Sequence, residues 1–299
     1  MSTPNVEAVK LDELNCWCIR HGQAELLVAQ QGAHILSYQV AGQPPLIWLN
    51  DQALFKTGKS IRAGVPVCWP WFGNLPRNPQ SVRDMRISNE PATAHGLVRT
   101  MDWALGEMAT EGESLTVEFV LPYPEGGLPG WPHQVDLKLS IRLDNQLHIS
   151  LTSHNQGQEA VSISQALHSY FAVSDVRDVQ VEGLDGLSYI ETLDDWNIVK
   201  QTGDLRFIGE TDRIYLNTPA TLSIVDPAWK RRIELTSSGS RSTVIWNPWI
   251  DRAAAFSDMA EDGWQRMLCI ETANVMDDVV KLEAGARHTL GVSIGSKPL

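Results

Sequence analysis

The sequence predicts an all-β protein, a large antiparallel sandwich or barrel built from many short strands. Three observations support this fold class. Short segments with alternating apolar and polar residues recur along the chain. Clusters of Gly, Pro, Asn, Asp and Ser separate these segments. No long segment has the apolar repeat of about 3.6 residues that is typical of an amphipathic helix.

The clearest strand spans residues 135–143, where apolar residues hold the odd positions and polar residues the even ones. This alternation predicts a half-buried strand with one solvated face. Asp144-Asn145 follows as a turn, and Leu147, Ile149 and Leu151 resume the alternation. The two segments therefore form a predicted hairpin.

Other strand-like segments follow the same pattern in chain order. They are Cys16–Arg20, Leu115–Leu121, Val161–Phe171, Thr221–Val225, Thr243–Trp246, Val279–Leu282 and His288–Ile294. Residues 258–266 are expected to form a short helix or an irregular loop. No repeat, low-complexity tract or linker divides the chain, so we expect one domain over residues 1–299.

A long stretch at residues 59–89 departs from the strand pattern. Its apolar part, residues 61–73, is interrupted by Gly and Pro, and its polar part carries Arg77, Arg83 and Arg86. Loops of this length in compact domains are frequently functional or mobile. We therefore expect this stretch to contribute to a site.

The composition argues against some classes of binding partner. With 43% hydrophobic residues the chain can bury a sizeable core, and its net charge of −12 argues against general binding to nucleic acid or an anionic membrane. An anionic substrate would need a local cluster of arginines. Eleven tryptophans are available for stacking on sugars, although core packing is the simpler role for most of them.

Location is predicted from what the sequence lacks. No segment has the roughly 18 apolar residues of a membrane span, and residues 1–15 do not resemble a signal peptide. The four cysteines, Cys16, Cys18, Cys68 and Cys269, form no Cys-x-x-Cys pair. We therefore expect reduced thiols in a cytoplasmic protein.

His168 is the first candidate for chemistry. In the strand-like segment that contains it, Ser162, Ser164, Ala166 and His168 share one face, which is small and polar like the floor of a cleft. A histidine on such a floor can act as a general acid, because its ordinary pKa is near neutral. The alternative is a strand histidine that is hydrogen-bonded to a neighbour.

His95 and Glu271 are the other candidates. Gly96 follows His95 and permits close approach of the backbone to a ligand or another segment. Glu271 ends the apolar run of residues 267–270, an unusual place for an ionised group. The alternatives are a turn histidine and a glutamate paired with an arginine. Two histidines and a carboxylate suggest acid–base chemistry on a sugar without a metal or nucleotide.

Arg62 and Arg99 are the best candidates for anion binding, because guanidinium groups bind phosphate or carboxylate with two hydrogen bonds. Asp212 is a candidate acceptor for sugar hydroxyls. A zinc site from His95, His168 and Glu271 is possible by residue type, but no metal-binding spacing supports it. We therefore expect neither metal nor cofactor. The phosphate-loop, Gly-x-Ser-x-Gly and His-Glu-x-x-His motifs are also missing.

Taken together, six segments resemble the D-hexose-6-phosphate mutarotases, the glucose-6-phosphate 1-epimerase branch of the aldose 1-epimerase superfamily. They occur in order between about residues 60 and 275. They are Ile61–Gly73, His95–Arg99, Ala166–Phe171, Thr211–Arg213, Val244–Trp249 and Cys269–Glu271.

The resemblance implies a galactose mutarotase-like β-supersandwich and a role for each candidate residue. His168 matches the family's catalytic acid and Glu271 its catalytic base. Arg62, Arg99 and Asp212 match substrate ligands, and His95 matches a histidine that orients the sugar. Arg62 and Arg99 are the candidates for holding the phosphate, with Arg77, Arg83 or Arg86 from the polar loop as candidate helpers. Ala94 is a departure, because some relatives have a substrate-binding Gln at this position.

The expected reaction is interconversion of the α and β anomers of a hexose 6-phosphate by ring opening and reclosure. Glu271 is expected to take the O1 proton and cationic His168 to protonate O5, from opposite sides of the sugar. The expected partner is a small hexose phosphate, and the protein is expected to be a monomer or weak dimer. The alternatives are a non-catalytic sugar-phosphate sensor and a lyase or hydrolase. A glycosidase would need two suitably separated carboxylates.

Overall fold

The computed structural model describes residues 5–299, which form 23 β-strands and two short α-helices. The strands are β1 (Asn5–Leu11), β2 (Leu14–His21), β3 (Ala24–Ala29), β4 (His34–Val40), β5 (Val67–Cys68), β6 (Ala104–Glu111), β7 (Ser114–Val120), β8 (Val135–Leu143), β9 (Leu147–Asn155), β10 (Val161–Ile163), β11 (Gln165–Leu167), β12 (Tyr170–Ala172), β13 (Gln180–Glu182), β14 (Ser188–Glu191), β15 (Asn197–Lys200), β16 (Leu205–Arg206), β17 (Thr211–Leu216), β18 (Thr221–Asp226), β19 (Arg231–Ser238), β20 (Ser242–Asn247), β21 (Met267–Asn274), β22 (Val280–Leu282) and β23 (Arg287–Pro298). The helices are α1 (Gln80–Arg83) and α2 (Trp249–Ala254). The all-β prediction is confirmed.

Two large antiparallel sheets dominate the described residues. One has nine strands in the order β16-β13-β18-β19-β23-β9-β8-β7-β6, and the other has the order β15-β14-β17-β20-β21-β11-β5, with β12 also paired to β21. The first four strands form a separate meander in chain order. Bridges from Tyr38 to Ile47 and from Ile47 to Phe171 connect this meander to the second large sheet.

Strand β21 shows how the layers are organised. Ile270 and Thr272 point toward the nine-stranded sheet, where the Thr272 hydroxyl lies 3.0 Å from that of Ser237. Glu271, between them, points to the opposite face because side chains alternate along a strand. A continuous core of buried aliphatic and aromatic residues fills the space between the sheets. Each fully buried large aliphatic side chain contributes roughly 1.5–3 kcal/mol to folding.

The opposite face of the second sheet forms the floor of a cavity. Strand register places Val244 directly beside Glu271, and Trp246 between Asp212 and Cys269. Paired residues of antiparallel strands project to the same side. The register therefore collects side chains that are distant in sequence on one surface.

Several sequence predictions are refined by the structure. The hairpin of β8 and β9 is confirmed, with Leu143 paired to Leu147. The segment 161–171, predicted as one strand, is instead three short strands, and His168 lies in the break between β11 and β12. The segment 258–266 contains a single 3-10 turn at Gly263–Gln265. Helix α2 was not predicted from the sequence.

The expected long stretch at residues 59–89 crosses one side of the cavity. It contains β5, a 3-10 turn at Leu75–Arg77 and α1. All four cysteines are free and buried. Within residues 5–299, no helix is long and apolar enough to cross a bilayer.

Candidate active site

A cavity of about 800 Å³ lies on the floor formed by strands β17, β20 and β21. It is lined by all six residues that the sequence analysis proposed: Arg62, His95, Arg99, His168, Asp212 and Glu271. These residues come from separate segments, so the sheet register and the long stretch together assemble the site.

His168 and Glu271 form a buried pair at the centre of the cavity wall. The distance between His168 Nε2 and Glu271 Oε1 is 3.4 Å, and only 10% and 1% of the two side chains are exposed. The His168 imidazole stacks on Tyr170 with the ring centroids 4.9 Å apart and an interplanar angle of 11°. The break after β11 places this ring, since the His168 N–H donates to the carbonyl oxygen of Pro66.

This geometry corrects the expected placement of the two groups. They lie next to each other in one wall, rather than on opposite sides of a sugar. Both O1 and O5 are bonded to C1, so one face of the sugar can present both oxygens to the pair. His168 Nδ1 and Glu271 Oε2 are buried without a hydrogen-bond partner among the described residues. Leaving such an atom without a partner costs about 1–3 kcal/mol.

Burial determines the protonation of the pair. Desolvation, with smaller contributions from His95 and Arg99, lowers the pKa of His168 well below its ordinary value. Desolvation and the charge of Asp212 raise the pKa of Glu271 well above its ordinary value. Both shifts favour the uncharged forms, a neutral imidazole and a protonated carboxyl group. The direction of the His168 shift opposes the cationic form that was expected from the sequence.

His95 is held as a neutral hydrogen-bond donor. Its Nδ1 accepts from the Gly73 N–H at 3.4 Å and lies 3.4 Å from the Cys68 sulfur. Burial raises the pKa of Cys68 to about 12, so its thiol also remains a donor. Desolvation and the charge of Arg99 lower the pKa of His95 to about 3. The proton of the neutral ring must then be on Nε2.

The backbone at His95 is unusual. His95 and Gly96 have φ angles of +63° and +82°. Gly96 packs so closely against the backbone of Trp69 that a Cβ atom there would lie 2.0 Å from the Trp69 carbonyl oxygen. The prediction that Gly96 permits close approach is confirmed, and its partner is the protein's own backbone.

The two arginines differ in their partners. Arg62 donates from Nε to Asp258 at 3.3 Å, and its guanidinium lies 3.7 Å from the centroid of Phe256. Arg99 Nε is buried without a hydrogen-bond partner in the described part of the chain. A carboxylate thus offsets the charge of Arg62, whereas that of Arg99 is available to an anion.

Asp212 lines the cavity opposite Trp246 in the strand register. Desolvation raises the pKa of its carboxyl group to about 6. A carboxylate with this pKa accepts hydrogen bonds at neutral pH and loses part of that capacity in mild acid.

The cavity also contains residues that the sequence analysis missed. They include Trp196, Glu210, Arg252, Phe256 and Asp258. None of them lies in a segment with a recognisable motif, so nothing in the sequence distinguished them. Of the loop arginines, only Arg77 lines the cavity. Arg83 instead bonds Gln80, and Arg86 donates to the Ser88 carbonyl oxygen.

Chemically, the site provides an imidazole and a carboxyl group in contact, neutral donors, carboxylate acceptors and unpaired cations. Among the described residues, no group of three His, Cys, Asp or Glu side chains is arranged to hold a metal ion. The arrangement suits proton transfer on a polar, anionic small molecule.

Comparison with known families identifies the class of protein that this fold and site define. A sequence model of aldose 1-epimerase matches residues 15–295. The chain therefore belongs to the aldose 1-epimerase family, and it is an isomerase.

The more similar relatives share one name. An Escherichia coli K12 protein named "putative glucose-6-phosphate 1-epimerase" is 35% identical over 272 residues, covering 91% of this chain and 87% of the relative. A Salmonella typhimurium protein with the same name is 33% identical over 271 residues, covering 90% and 86%.

Solved structures agree. The crystal structure of YeaD, a "putative mutarotase" from Salmonella typhimurium, superimposes with a TM-score of 0.87 at 30% identity, covering 98% of this chain and 94% of that one. Galactose 1-epimerase from Lactobacillus acidophilus has a TM-score of 0.74 at 13% identity, with 99% of both chains covered, and supports the fold alone. The predicted galactose mutarotase-like supersandwich is confirmed.

Proposed function

We propose that the protein is a hexose-6-phosphate mutarotase that interconverts the α and β anomers of glucose 6-phosphate and related hexose 6-phosphates. The observation that carries this proposal is the buried His168–Glu271 pair in a cavity that also contains the unpaired cation Arg99. The names of the relatives at 33–35% identity support the same substrate class.

The reaction requires transfer of protons at two oxygens bonded to one carbon. A base removes the proton of the O1 hydroxyl while an acid protonates O5, and the C1–O5 bond breaks to give the open aldehyde. Rotation about C1–C2 and reclosure then reverse the transfers and produce the other anomer. A positioned group contributes about 10²–10⁴-fold for each proton transfer.

We assign the base to Glu271 and the acid to His168. Because burial disfavours the charged form of each group, this assignment requires a proton to move from Glu271 to His168 across their 3.4 Å separation before ring opening. The contact between the two groups provides the route.

The remaining residues bind and orient the sugar phosphate. Arg99 and Arg62 are assigned to the anionic end, His95 donates from Nε2 to a sugar oxygen, and Asp212 accepts from hydroxyls. We further propose that the protein acts as a single domain in the cytoplasm, as a monomer or weak dimer.

Anomer exchange measured with glucose 6-phosphate and with glucose tests the proposal. Acceleration for the phosphate alone is the expected result. Equal acceleration for both sugars would contradict phosphate recognition and indicate a general aldose epimerase. Binding of glucose 6-phosphate without acceleration would contradict catalysis and favour the sensor alternative.

A further inference from the structure

Two elements meet at the solvent-facing rim of the cavity. Arg77, from the 3-10 turn at Leu75–Arg77, places its guanidinium 4.9 Å from the ring centroid of Trp196, in the connection between β14 and β15. Both residues line the same cavity as His168 and Glu271. The contact joins two segments separated by more than a hundred residues in the chain.

Trp196 occupies a backbone position that favours other residues. The Asn197 N–H donates to the Asp194 carbonyl oxygen at 2.9 Å, and the two residues between them, Asp195 and Trp196, have φ angles of +46° and +61°. A turn with two positive φ angles normally has Asn or Asp followed by Gly. A bulky aromatic residue in this conformation is strained, and such strain is concentrated at functional sites.

The strained turn directs Trp196 onto the site. Its indole is partly buried and packs against the apolar cluster on the cavity floor, together with Phe72. A glycine would satisfy the turn but provide neither this packing nor a surface for Arg77.

Arg77 is anchored from the other side by its neighbour. The Asn78 side chain is 9% exposed and donates to the carbonyl oxygens of Phe72 and Asn74 at 2.8 and 3.1 Å. Its amide oxygen accepts from the hydroxyl of Ser164, which lies between β10 and β11 in the segment that leads to His168. The backbone of the Arg77 turn is therefore fixed relative to the acid–base pair.

The charge of Arg77 is not offset by a carboxylate. Among residues 5–299, no Asp or Glu lies within 4.0 Å of its guanidinium, whereas Arg62 is paired with Asp258. On a chain with net charge −12, an arginine that lines a cavity and has no carboxylate partner favours an anion as its ligand.

We propose that Arg77, supported by the ring of Trp196, binds the phosphate group of the substrate and makes the cavity selective for phosphorylated over free sugars. This inference rests on the proposed function. The charges of Arg62 and Arg99 act on His168 and His95 within the site, whereas Arg77 lies at its exposed rim.

The shape of the substrate allows this arrangement. In the pyranose form of a hexose 6-phosphate, only O5 separates C1 from C5, which carries the phosphorylated C6. The phosphate extends beyond the ring on the flexible C5–C6–O6 linkage, and its oxygens can accept from more than one guanidinium.

The test compares Arg77→Ala with Arg83→Ala, a matched control because Arg83 is also exposed in the same stretch but bonds Gln80 instead of lining the cavity. We expect Arg77→Ala to raise KM for glucose 6-phosphate about tenfold or more, because a charge-assisted contact is lost. Its kcat, and the KM for any activity on glucose, should stay unchanged. Arg83→Ala should match the wild type.

Trp196 is a positioning residue, and two variants separate its role from general packing. Trp196→Phe keeps an aromatic face and should retain most of the affinity for glucose 6-phosphate, whereas Trp196→Leu should resemble Arg77→Ala. Equal losses in the Phe and Leu variants would overturn the role of the ring.

The outcome for Arg77 is separable from the proposed function. If Arg77→Ala behaves like Arg83→Ala in an active enzyme, the phosphate role of Arg77 is wrong while the mutarotase proposal stands. If the wild type does not accelerate anomer exchange, the proposed function fails. Calorimetric titration with glucose 6-phosphate then still tests the anion site, and equal affinity in wild type and Arg77→Ala would overturn it.

Discussion

The Nε2 atom of His168 lies 3.4 Å from Oε1 of Glu271, in a wall where both side chains are almost completely shielded from solvent. Burial lowers the pKa of His168 and raises that of Glu271, so it favours the uncharged form of each group. Acid–base catalysis of ring opening needs one group that can accept a proton and one that can donate it. The contact between His168 and Glu271 brings two such groups together.

Arg99 should distinguish phosphorylated from free sugar. Its Nε is buried without a partner among the described residues, so its charge is available to the phosphate. Arg99→Ala is expected to raise KM for glucose 6-phosphate by at least tenfold and to leave any KM for glucose unchanged. Steady-state anomerisation assays with both sugars measure this difference. Equal changes for both sugars would argue against a phosphate role.

Binding should weaken in mild acid through Asp212. Its pKa is about 6, so the carboxylate that accepts sugar hydroxyls becomes protonated as the pH falls through that value. KM of the wild type should therefore rise below about pH 6. The substrate's phosphate also titrates near pH 6, so the comparison must be made with Asp212→Asn.

At pH 7.5 we expect the Asn variant to have a KM about tenfold higher than the wild type. The ratio of the two KM values should narrow toward 1 near pH 5, because the wild-type carboxylate is then neutral as well. A ratio that stays constant from pH 5 to 8 would show that Asp212 does not act through its charge.

Gly96 should be more sensitive to substitution than Gly73. Both have positive φ, +82° and +59°, but only at Gly96 would a Cβ collide with backbone, 2.0 Å from the Trp69 carbonyl oxygen. Gly73→Ala should cost roughly 1 kcal/mol in the free energy of unfolding from the strained φ alone. Gly96→Ala should cost several kcal/mol and displace His95. Urea denaturation of the two variants measures both losses in the free energy of unfolding. Losses of similar size would contradict the close approach of Gly96 to the Trp69 backbone.

Acid should destabilise the fold through His34. This buried ring bonds the Ala63 carbonyl oxygen at 2.7 Å, and desolvation lowers its pKa to about 4 from an ordinary value near 6.5. The unfolded chain takes up a proton near pH 6.5, while the folded protein resists until about pH 4. His34 therefore contributes stability above pH 6.5 that is lost as the pH falls toward 4.

The contribution of His34 to the free energy of unfolding that is lost in acid has an upper limit of about 3 kcal/mol. Denaturation curves at pH 7, 5.5 and 4 should show a smaller acid loss for His34→Gln than for the wild type, because the other acid-sensitive groups are common to both. If the wild type and His34→Gln lose the same stability between pH 7 and pH 4, His34 is not the cause of the acid sensitivity.

The sequence predicted the strand pattern and the main hairpin because alternation of apolar and polar residues is a local signal. The six site residues were identified because they lie in recognisable segments, and all six line the cavity. Their roles remain proposals. The mutual placement of His168 and Glu271 was not predictable, since it depends on the strand break at residue 168 and on the pairing of β21.

Other features of the site depend on contacts between distant segments. Helix α2 contains Arg252 and ends just before Phe256, and so it positions both residues. It has only six residues, so its apolar pattern is too short to detect in the sequence. Turns with two positive φ angles normally contain Asn or Asp followed by Gly, and Trp196 stands where Gly is expected. The sequence therefore did not indicate this turn, which is evident only from the backbone angles. The protonation of the acid–base pair likewise depends on burial, which a linear sequence does not specify.

The most direct test is magnetisation exchange between the anomeric protons of glucose 6-phosphate at equilibrium, recorded with wild type, Glu271→Gln and His168→Asn. The account predicts faster exchange with the wild type and a loss of at least about 10²-fold in each variant, while urea denaturation shows that both remain folded. Exchange close to the wild-type rate in either folded variant would contradict the acid–base assignment.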